Sequence, residues 1–321
     1  GLSMLRTITL ICGAAAGSVG SCSGMSGSGM AGGELSAKAV SGGSAGEPGL
    51  VAENVACPAL LVLSSVIPTP LMPLVSVLVR SMQRDSLAAA LAAIAHQTDT
   101  AIEVVVVNAR GGTHADVGPL CGTFEGRVVN QDGQPLDRPS AANLAIDHAR
   151  GRWAIFLDDD DVMDVDHVAR LRSALESAPG AVAAYTGVRL VKPDGQPEGV
   201  LDEPYDATRL WLANYIPIHA VLFSRAAVVE AGLRFDSRLQ VYEDWDFWHQ
   251  LSRLGPFVHL QGPSATYRLV GDSGLSAQAT QQVASAGRAL IYDKWVRQLD
   301  GDTLNRLMTA AEHNRIGMIH R

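Results

Sequence analysis

The chain contains few lysines and few cysteines, and each scarcity excludes some kinds of binding site. Of its 25 basic residues only Lys38, Lys192 and Lys294 are lysines, and 33 acidic residues give a net charge of −8. This mildly acidic balance gives no reason to expect a nucleic-acid-binding surface. We therefore expect phosphate contacts to use arginine, a bound metal ion or backbone N–H groups.

The four cysteines show no metal-binding spacing, and only Cys121 lies in a segment with regular patterning. A disulfide framework is not expected, which fits a reducing, cytoplasmic location. No segment reaches the ~20 consecutive apolar residues that span a bilayer, so any membrane contact would be peripheral. A GxxxxGK[ST] segment is also missing, which excludes an ordinary P-loop, and no GxGxxG follows a predicted strand.

Composition divides the chain into three parts. Thirteen of the first fifty residues are glycine, interleaved with serine and alanine. Residues 1–72 are therefore predicted to form a low-complexity, disordered leader. We expect one folded domain over residues 73–275 and a C-terminal helical extension over residues 276–321.

Short apolar runs alternate with helical patterns in the first part of the folded domain. This order predicts an α/β fold with a mostly parallel central sheet and helices on both faces. Ligands of such sheets bind beyond the carboxyl ends of the strands. Arg80, Asn108 and a run of aspartates follow three predicted strands, so we expect them to converge in one cleft. The runs that predict strands are 75–79, 103–107, 127–130 and 153–157. Further along, the runs 218–223 and 265–270 also predict strands, and one helix over about 283–299 is expected to close the chain.

Four aspartates, residues 158–161, directly follow the apolar run 153–157. Like charges at a strand end repel one another, and a hard cation such as Mg²⁺ or Mn²⁺ would offset that repulsion best. The alternative is a solvated acidic turn before the next helix, with Asp164 or Asp166 near the helix N-terminus.

The order of these segments closely resembles glycosyltransferase family 2, whose nucleotide-sugar-binding fold is called GT-A. The most specific pieces are the aspartate run after an apolar strand, known as the DXD element, and the Glu-Asp-Trp-Asp helix start at residue 243. The resemblance covers roughly residues 73–270 and implies transfer of a sugar from a nucleoside diphosphate sugar, with inversion. The other matching segments are 75–79, 97–98, 103–107 and 141–143.

The resemblance also implies roles for the acidic residues. Asp160 would be the main ligand of Mg²⁺ or Mn²⁺, with Asp158 assisting, and Asp159 would contact the ribose or sugar of the donor. Asp244 would take the proton of the acceptor hydroxyl, with Glu243 as the alternative base. Helix capping is the competing interpretation of the acidic residues at 243–246, and a helix N-terminus would lower the basicity of a carboxylate there.

Several other positions are matched less closely. Residues 80–84 stand where the family usually has Pro-Thr-Tyr-Asn-Arg, whose aromatic residue can stack on the nucleobase. Asn108 stands where the family usually has an aspartate that can contact the base. These departures put uridine in doubt as the nucleobase, and Arg80 and Asn108 are the predicted donor contacts here. Asn143 and Arg138 are predicted near the donor, although a structural asparagine and a solvated arginine are equally reasonable interpretations. Arg268 matches a late Tyr-Arg pair and is predicted to contact the diphosphate.

The acceptor side is the least defined. The family implies a glycan or protein acceptor. His219 precedes an apolar run near the family's acceptor region, and Trp245 could stack on a sugar. Both residue types are more often found in the core at such positions.

Two other functions fit parts of the sequence. Asp158–Val162 satisfies the Asp-x-Asp-x-[Thr/Val] motif of haloacid dehalogenase phosphohydrolases, but predicted strands precede it and a suitable downstream lysine is lacking. A module with this fold that binds a ligand without catalysis would explain the altered nucleotide positions, although it would not require a base.

Overall fold

The computed structural model of the protein describes residues 74–269 and 281–319. The leader predicted over residues 1–72 lies outside these ranges. Within them, no helix combines the length and the apolar character needed to cross a membrane.

Strands and helices alternate along the first half of the described chain. The strands are β1 (Val75–Ser81), β2 (Ile102–Asn108), β3 (Glu125–Val129), β4 (Trp153–Asp158), β5 (Val162–Met163), β6 (Ala183–Val191), β7 (Pro197–Leu201), β8 (Val221–Ser224) and β9 (Phe257–Arg268). The α-helices are α1 (Leu87–Ala95), α2 (Arg138–His148), α3 (His167–Ser177), α4 (Ala207–Leu212), α5 (Arg225–Glu230), α6 (Glu243–Ser252), α7 (Gln281–Val296) and α8 (Gly301–Ile319).

The strands form one mixed sheet in the order β3-β2-β1-β4-β8-β6-β9-β5, with β7 paired to β6. Strands β1 to β4 run parallel to one another, whereas β8 is antiparallel to both β4 and β6. The register pairs Arg80 with Asp158 and Ser81 with Asn108. The predicted convergence of three strand ends is therefore present.

Alternating side chains of β4 explain why helices cover both faces. Phe156 faces the core that contains α2 and α6, whereas Ile155 and Leu157 face the core that contains α1 and α3. Period-two alternation places successive residues of a strand on opposite faces. Because both faces are covered, β4 is apolar from Trp153 to Leu157. Its last residue, Asp158, is polar and lies where the strand leaves the core.

The second half departs from the sequence expectation in three places. Residues 218–223, predicted as one strand, divide into a 3-10 turn (Ile218–Ala220) and the start of β8. Strand β9 begins at Phe257 rather than near residue 265, because its pairing with β6 continues through register shifts around Gly187. The extension contains two helices, α7 and α8, where one was predicted.

Candidate active site

The acidic run begins at the carboxyl end of β4, beside the carboxyl end of β1. Asp158 accepts two hydrogen bonds from the guanidinium of Arg80, with Nε to Oδ1 at 2.7 Å and Nη2 to Oδ2 at 2.8 Å. Burial raises the pKa of Asp158, but the charges of Arg80 and Arg138 outweigh it and lower that pKa to about 2. Asp158 is therefore charged and paired at neutral pH.

Asp159 is held by the turn that follows β1. Its Oδ2 accepts hydrogen bonds from the backbone N–H groups of Met82 at 2.6 Å and Arg84 at 3.4 Å. Its Oδ1 pairs with the Arg84 guanidinium, and the side chain is fully buried. Both oxygens of Asp159 thus stabilise the turn between β1 and α1. The contact of Asp159 with the donor stays a prediction.

Three aspartates of the run present oxygens to a common point. One carboxylate oxygen from each of Asp158, Asp160 and Asp161 lies within 4.8 Å of the other two. Burial and neighbouring carboxylates raise the pKa of Asp160 and raise that of Asp161 well above its usual value. The negative charges of Asp160 and Asp161 are therefore poorly compensated by the protein, as expected of carboxylates that bind a cation.

The surroundings of Asp161 Oδ2 show whether these residues fit a metal ion. It is 1% exposed, and among the described residues its Oδ2 has no hydrogen-bond partner. His219 Nδ1 lies 3.2 Å away but is not aligned for a hydrogen bond. A buried carboxylate oxygen without a donor is unfavourable, and a hard divalent cation satisfies such an oxygen. The three carboxylates therefore fit Mg²⁺ or Mn²⁺.

Two arginines connect the acidic run to the first turn of α6. Arg80 Nη1 and Arg138 Nε both donate to Glu243 Oε1, at 3.0 Å and 2.8 Å. Arg138 Nη2 also donates to Asp158 Oδ2 at 3.3 Å. The charge of Glu243 raises the pKa of Arg138, so this guanidinium stays charged. The two acidic segments, distant in sequence, therefore face one site.

Asp244 is partly buried and has one oxygen engaged by the protein. Its Oδ1 accepts hydrogen bonds from Asn214 Nδ2 at 3.0 Å and from the backbone N–H of Trp245 at 2.8 Å. Burial, followed by the charge of Glu243, raises the pKa of Asp244 to about 6. The lowered basicity expected from the helix N-terminus is thus not found, because burial and a neighbouring anion outweigh the helix.

A cavity of about 270 Å³ opens beside Asp244, and we call it the Asp244 cavity. Glu243 and Arg138 also line it; Arg138 pairs with Asp158, and Glu243 is joined to Asp158 through Arg80 and Arg138. The other lining residues are Leu190, Leu201, Asn214, Tyr215, Pro217, Ile218, Val241, Tyr242, Tyr267 and Ala284.

Two asparagines predicted near the donor are engaged by the backbone. The amide of Asn108 donates to the carbonyl oxygens of Gly112 and Gln131 and accepts from Gln83 Nε2 and Gly111 N–H. Its two donors and two lone pairs are thus all used. The amide of Asn143 exchanges two 2.9 Å hydrogen bonds with the backbone of Phe235. Both geometries favour a structural role.

The remaining predicted residues, Arg268, His219 and Trp245, differ in their distance from the acidic run and in their burial. Arg268 donates its backbone N–H to Asp161 Oδ1 at 3.0 Å, which places it beside the acidic run. His219 is buried, and burial lowers its pKa to about 4, so its ring is neutral at pH 7. Trp245 is 1% exposed and donates its ring N–H to the carbonyl oxygen of Leu210. It packs in the core and does not line the Asp244 cavity.

Sequence reasoning missed three residues that organise the site. Arg84 pairs with Asp159, and Asn214 holds Asp244. Tyr242, directly before Glu243, has left-handed backbone with φ +65°, which non-glycine residues adopt at a cost. Arg84 stood at the matching family segment, whereas no signal in the sequence marks Asn214 or Tyr242.

Solved structures of other proteins share this fold. The mannosyltransferase PcManGT from Pyrobaculum calidifontis, in complex with GDP-Man and Mn²⁺, is 16% identical with a TM-score of 0.52, covering 74% of this chain and 69% of that chain. TarS 1-349 from S. aureus, in complex with UDP-GlcNAc, is 14% identical with a TM-score of 0.51, covering 68% and 66%. The fold is therefore that of GT-A glycosyltransferases.

A family model matches the sequence itself. Residues 76–223, a little under half of the chain, match the model of Glycosyl transferase family 2. The family resemblance and the fold predicted from the sequence are confirmed. The chain spans 61% of the length of TarS 1-349 in its complex with UDP. No curated protein sequence matches it significantly.

Proposed function

We propose that the domain transfers a sugar from a nucleoside diphosphate sugar to an acceptor hydroxyl, with inversion at the anomeric carbon. The observation that carries this proposal is the pair of arginines, Arg80 and Arg138, that join Asp158 to Glu243. Through them the acidic run is linked to the first turn of α6, which also carries Asp244, the proposed base. The complexes of TarS with UDP-GlcNAc and of PcManGT with GDP-Man and Mn²⁺ support this donor class.

The donor end is the acidic run. Asp160 and Asp161, with Asp158, would hold Mg²⁺ or Mn²⁺, which when bound neutralises negative charge on the departing diphosphate. Arg80 and Arg138 are fixed guanidinium groups beside the same carboxylates, so they add positive charge where the diphosphate would lie. Arg268 is proposed to contact the diphosphate from the end of β9.

The acceptor end is Asp244. Because Asn214 and Trp245 engage Oδ1, the other oxygen, Oδ2, is the proposed proton acceptor. The acceptor O–H bond breaks with its proton passing to Oδ2, while the acceptor oxygen bonds to the anomeric carbon. The bond from that carbon to the diphosphate oxygen breaks, and the diphosphate leaves with the electron pair. A pKa of about 6 leaves Asp244 mostly deprotonated at neutral pH yet basic enough to help.

A donor panel tests the proposal. Purified protein is incubated with UDP-, GDP-, dTDP- and CMP-linked sugars, with Mn²⁺ or with EDTA, and release of the nucleotide is followed together with binding by calorimetry. Asp160→Ala should abolish metal-dependent donor binding, whereas Asp244→Asn should leave binding nearly intact and remove transfer. Asp132→Asn, an exposed loop acid, is the matched control. Full turnover by Asp244→Asn would refute the base assignment.

The same panel separates the alternatives. Metal-dependent binding without turnover would favour a ligand-binding module. A haloacid dehalogenase mechanism needs Asp158 as a free nucleophile, and the bidentate pairing of Asp158 with Arg80 argues against it. We further infer a cytoplasmic location, with peripheral membrane association allowed, from the cysteine usage; the described cysteine, Cys121, is buried and unpaired.

A further inference from the structure

Polar side chains around the Asp244 cavity are already bonded within the protein. The hydroxyl of Tyr215 accepts from the backbone N–H of Asp206 at 2.9 Å and donates to its carbonyl oxygen at 3.2 Å. The hydroxyl of Tyr242 accepts from Arg288 Nη1 at 3.2 Å. The amide of Asn214 donates to Asp244, and its buried Oδ1 has no partner among the described residues. The open polar groups therefore lie beside the base at Asn214 and at the Tyr242 hydroxyl, which can still donate one hydrogen bond.

The rest of the wall consists of Tyr267 and six aliphatic residues. The six come from the β6–β7 hairpin, the segment before β8, the segment before α6, and helix α7. These residues are Leu190, Leu201, Pro217, Ile218, Val241 and Ala284. None of their side chains can donate or accept a hydrogen bond. The cavity is therefore polar at the base and apolar beyond it.

We propose that the acceptor carries an apolar group, alkyl or aryl, next to the hydroxyl that receives the sugar, and that the Asp244 cavity binds this group. The inference rests on the proposed function, since it names the acceptor of the same site. The hydroxyls of a glycan at the aliphatic wall would lose their water partners and find few replacements. Each such loss lowers affinity by about one to two orders of magnitude.

Simple alcohols test the acceptor class without assuming any particular sugar. With a donor that the protein hydrolyses, transfer is measured to 1-butanol, 1-hexanol and 2-phenylethanol, and to glycerol and glucose as polar acceptors. Each methylene that enters the cavity should raise kcat/KM about threefold to fourfold. The hexanol and phenylethanol arms distinguish an alkyl from an aryl group. Equal or better transfer to glycerol and glucose would overturn the proposal.

Two neighbouring residues of β7 provide a matched pair of variants. Leu201 lines the cavity, whereas Val200 is 55% exposed on the opposite face of the strand. Leu201→Asn should reduce the preference for hexanol over glycerol at least tenfold, and Val200→Asn should leave it unchanged. Equal effects of both variants would contradict a role of the cavity.

Binding gives a readout that does not require turnover. Saturation-transfer NMR should detect 1-hexanol or 2-phenylethanol on the Val200→Asn protein and a weaker signal on Leu201→Asn. Donor hydrolysis by the unmodified protein separates the two levels of the argument. If no nucleotide sugar is bound or hydrolysed, both the proposed function and the proposal of an apolar acceptor are overturned. If donor is hydrolysed but alcohols neither bind nor react, only the acceptor class is overturned.

Discussion

The amide of Asn214 donates a hydrogen bond to the carboxylate of Asp244, with 3.0 Å between Nδ2 and Oδ1. This bond favours the charged carboxylate, whereas burial and the charge of Glu243 oppose it and bring the pKa to about 6. A base must be deprotonated, so we expect kcat to rise with pH and level off above neutrality, with a midpoint near 6. A pH–rate profile at saturating donor and acceptor measures this midpoint.

Removal of the amide should move the midpoint in a known direction. In Asn214→Ala the carboxylate loses one donor, so its pKa rises and activity at pH 6 falls more than activity at pH 8. Gln250→Ala, on the same helix as Asp244 but bonded to Arg234 and Asp246, is the control. A midpoint that is equal in both variants would show that Asn214 does not act on the base.

The raised pKa of Asp244 also has a consequence for stability. Between the ordinary value of 3.8 and about 6 the folded protein binds more protons than the unfolded chain, so stability falls as pH rises through this window. The loss is complete at pH 7.5. Asp244→Asn keeps an oxygen for Asn214 and Trp245 and removes the charge. It should therefore raise the thermal midpoint at pH 7.5 and change it little at pH 4. A lower midpoint at pH 7.5 would contradict the buried-charge argument.

Arg80 is expected to be indispensable for stability because it is buried between two carboxylates. Arg80→Met leaves Asp158 and Glu243 with one fewer cation, and breaking a buried pair typically costs about 3–5 kcal/mol of unfolding free energy. Urea titration of Arg80→Met, Asp158→Asn and the double variant should show that the double loss is smaller than the sum. Arg110→Met, at an exposed position, should have little effect. Additive losses would mean that the pair is not coupled.

Helix α7 approaches the start of α6 through Gly287. A Cβ at this position would lie 3.2 Å from side-chain atoms of both Tyr242 and Val241. Gly287→Val should therefore force α7 outward, cost about 1–3 kcal/mol of unfolding free energy and raise the KM for the acceptor. Ala289→Val, exposed on the same helix, adds a valine to α7 without the clash. Helix propensity favours Gly→Val and opposes Ala→Val, so a loss in Gly287→Val that is no larger than the loss in Ala289→Val would contradict the close packing.

Local signals predicted the position of the acidic run in the sheet. The apolar run 153–157 followed by charges placed the end of β4 within one residue, and parallel strand order then required Arg80 and Asn108 to lie nearby. The partners of the aspartates could not be predicted in the same way. Arg84 reaches Asp159 through a turn whose geometry depends on tertiary contacts, and identical side chains give no pattern that distinguishes their neighbours.

The acceptor end was less predictable because it depends on segments far apart in sequence. The basicity of Asp244 was expected to be lowered by its helix, yet burial among distant residues and the adjacent Glu243 raise its pKa. The left-handed conformation of Tyr242 and the contribution of Ala284 to the cavity likewise arise from packing of α7 against α6. Neither leaves a periodic signal.

The four aspartates after β4 are chemically identical, yet each meets a different neighbour. Asp158 meets Arg80, Asp159 the Met82 backbone and Asp161 the Arg268 backbone, while Asp160 lies 3.6 Å from Arg84. Inserting or deleting one aspartate would preserve the appearance of the segment and shift each side chain onto the wrong neighbour. The spacing of this segment is therefore under stricter constraint than its composition.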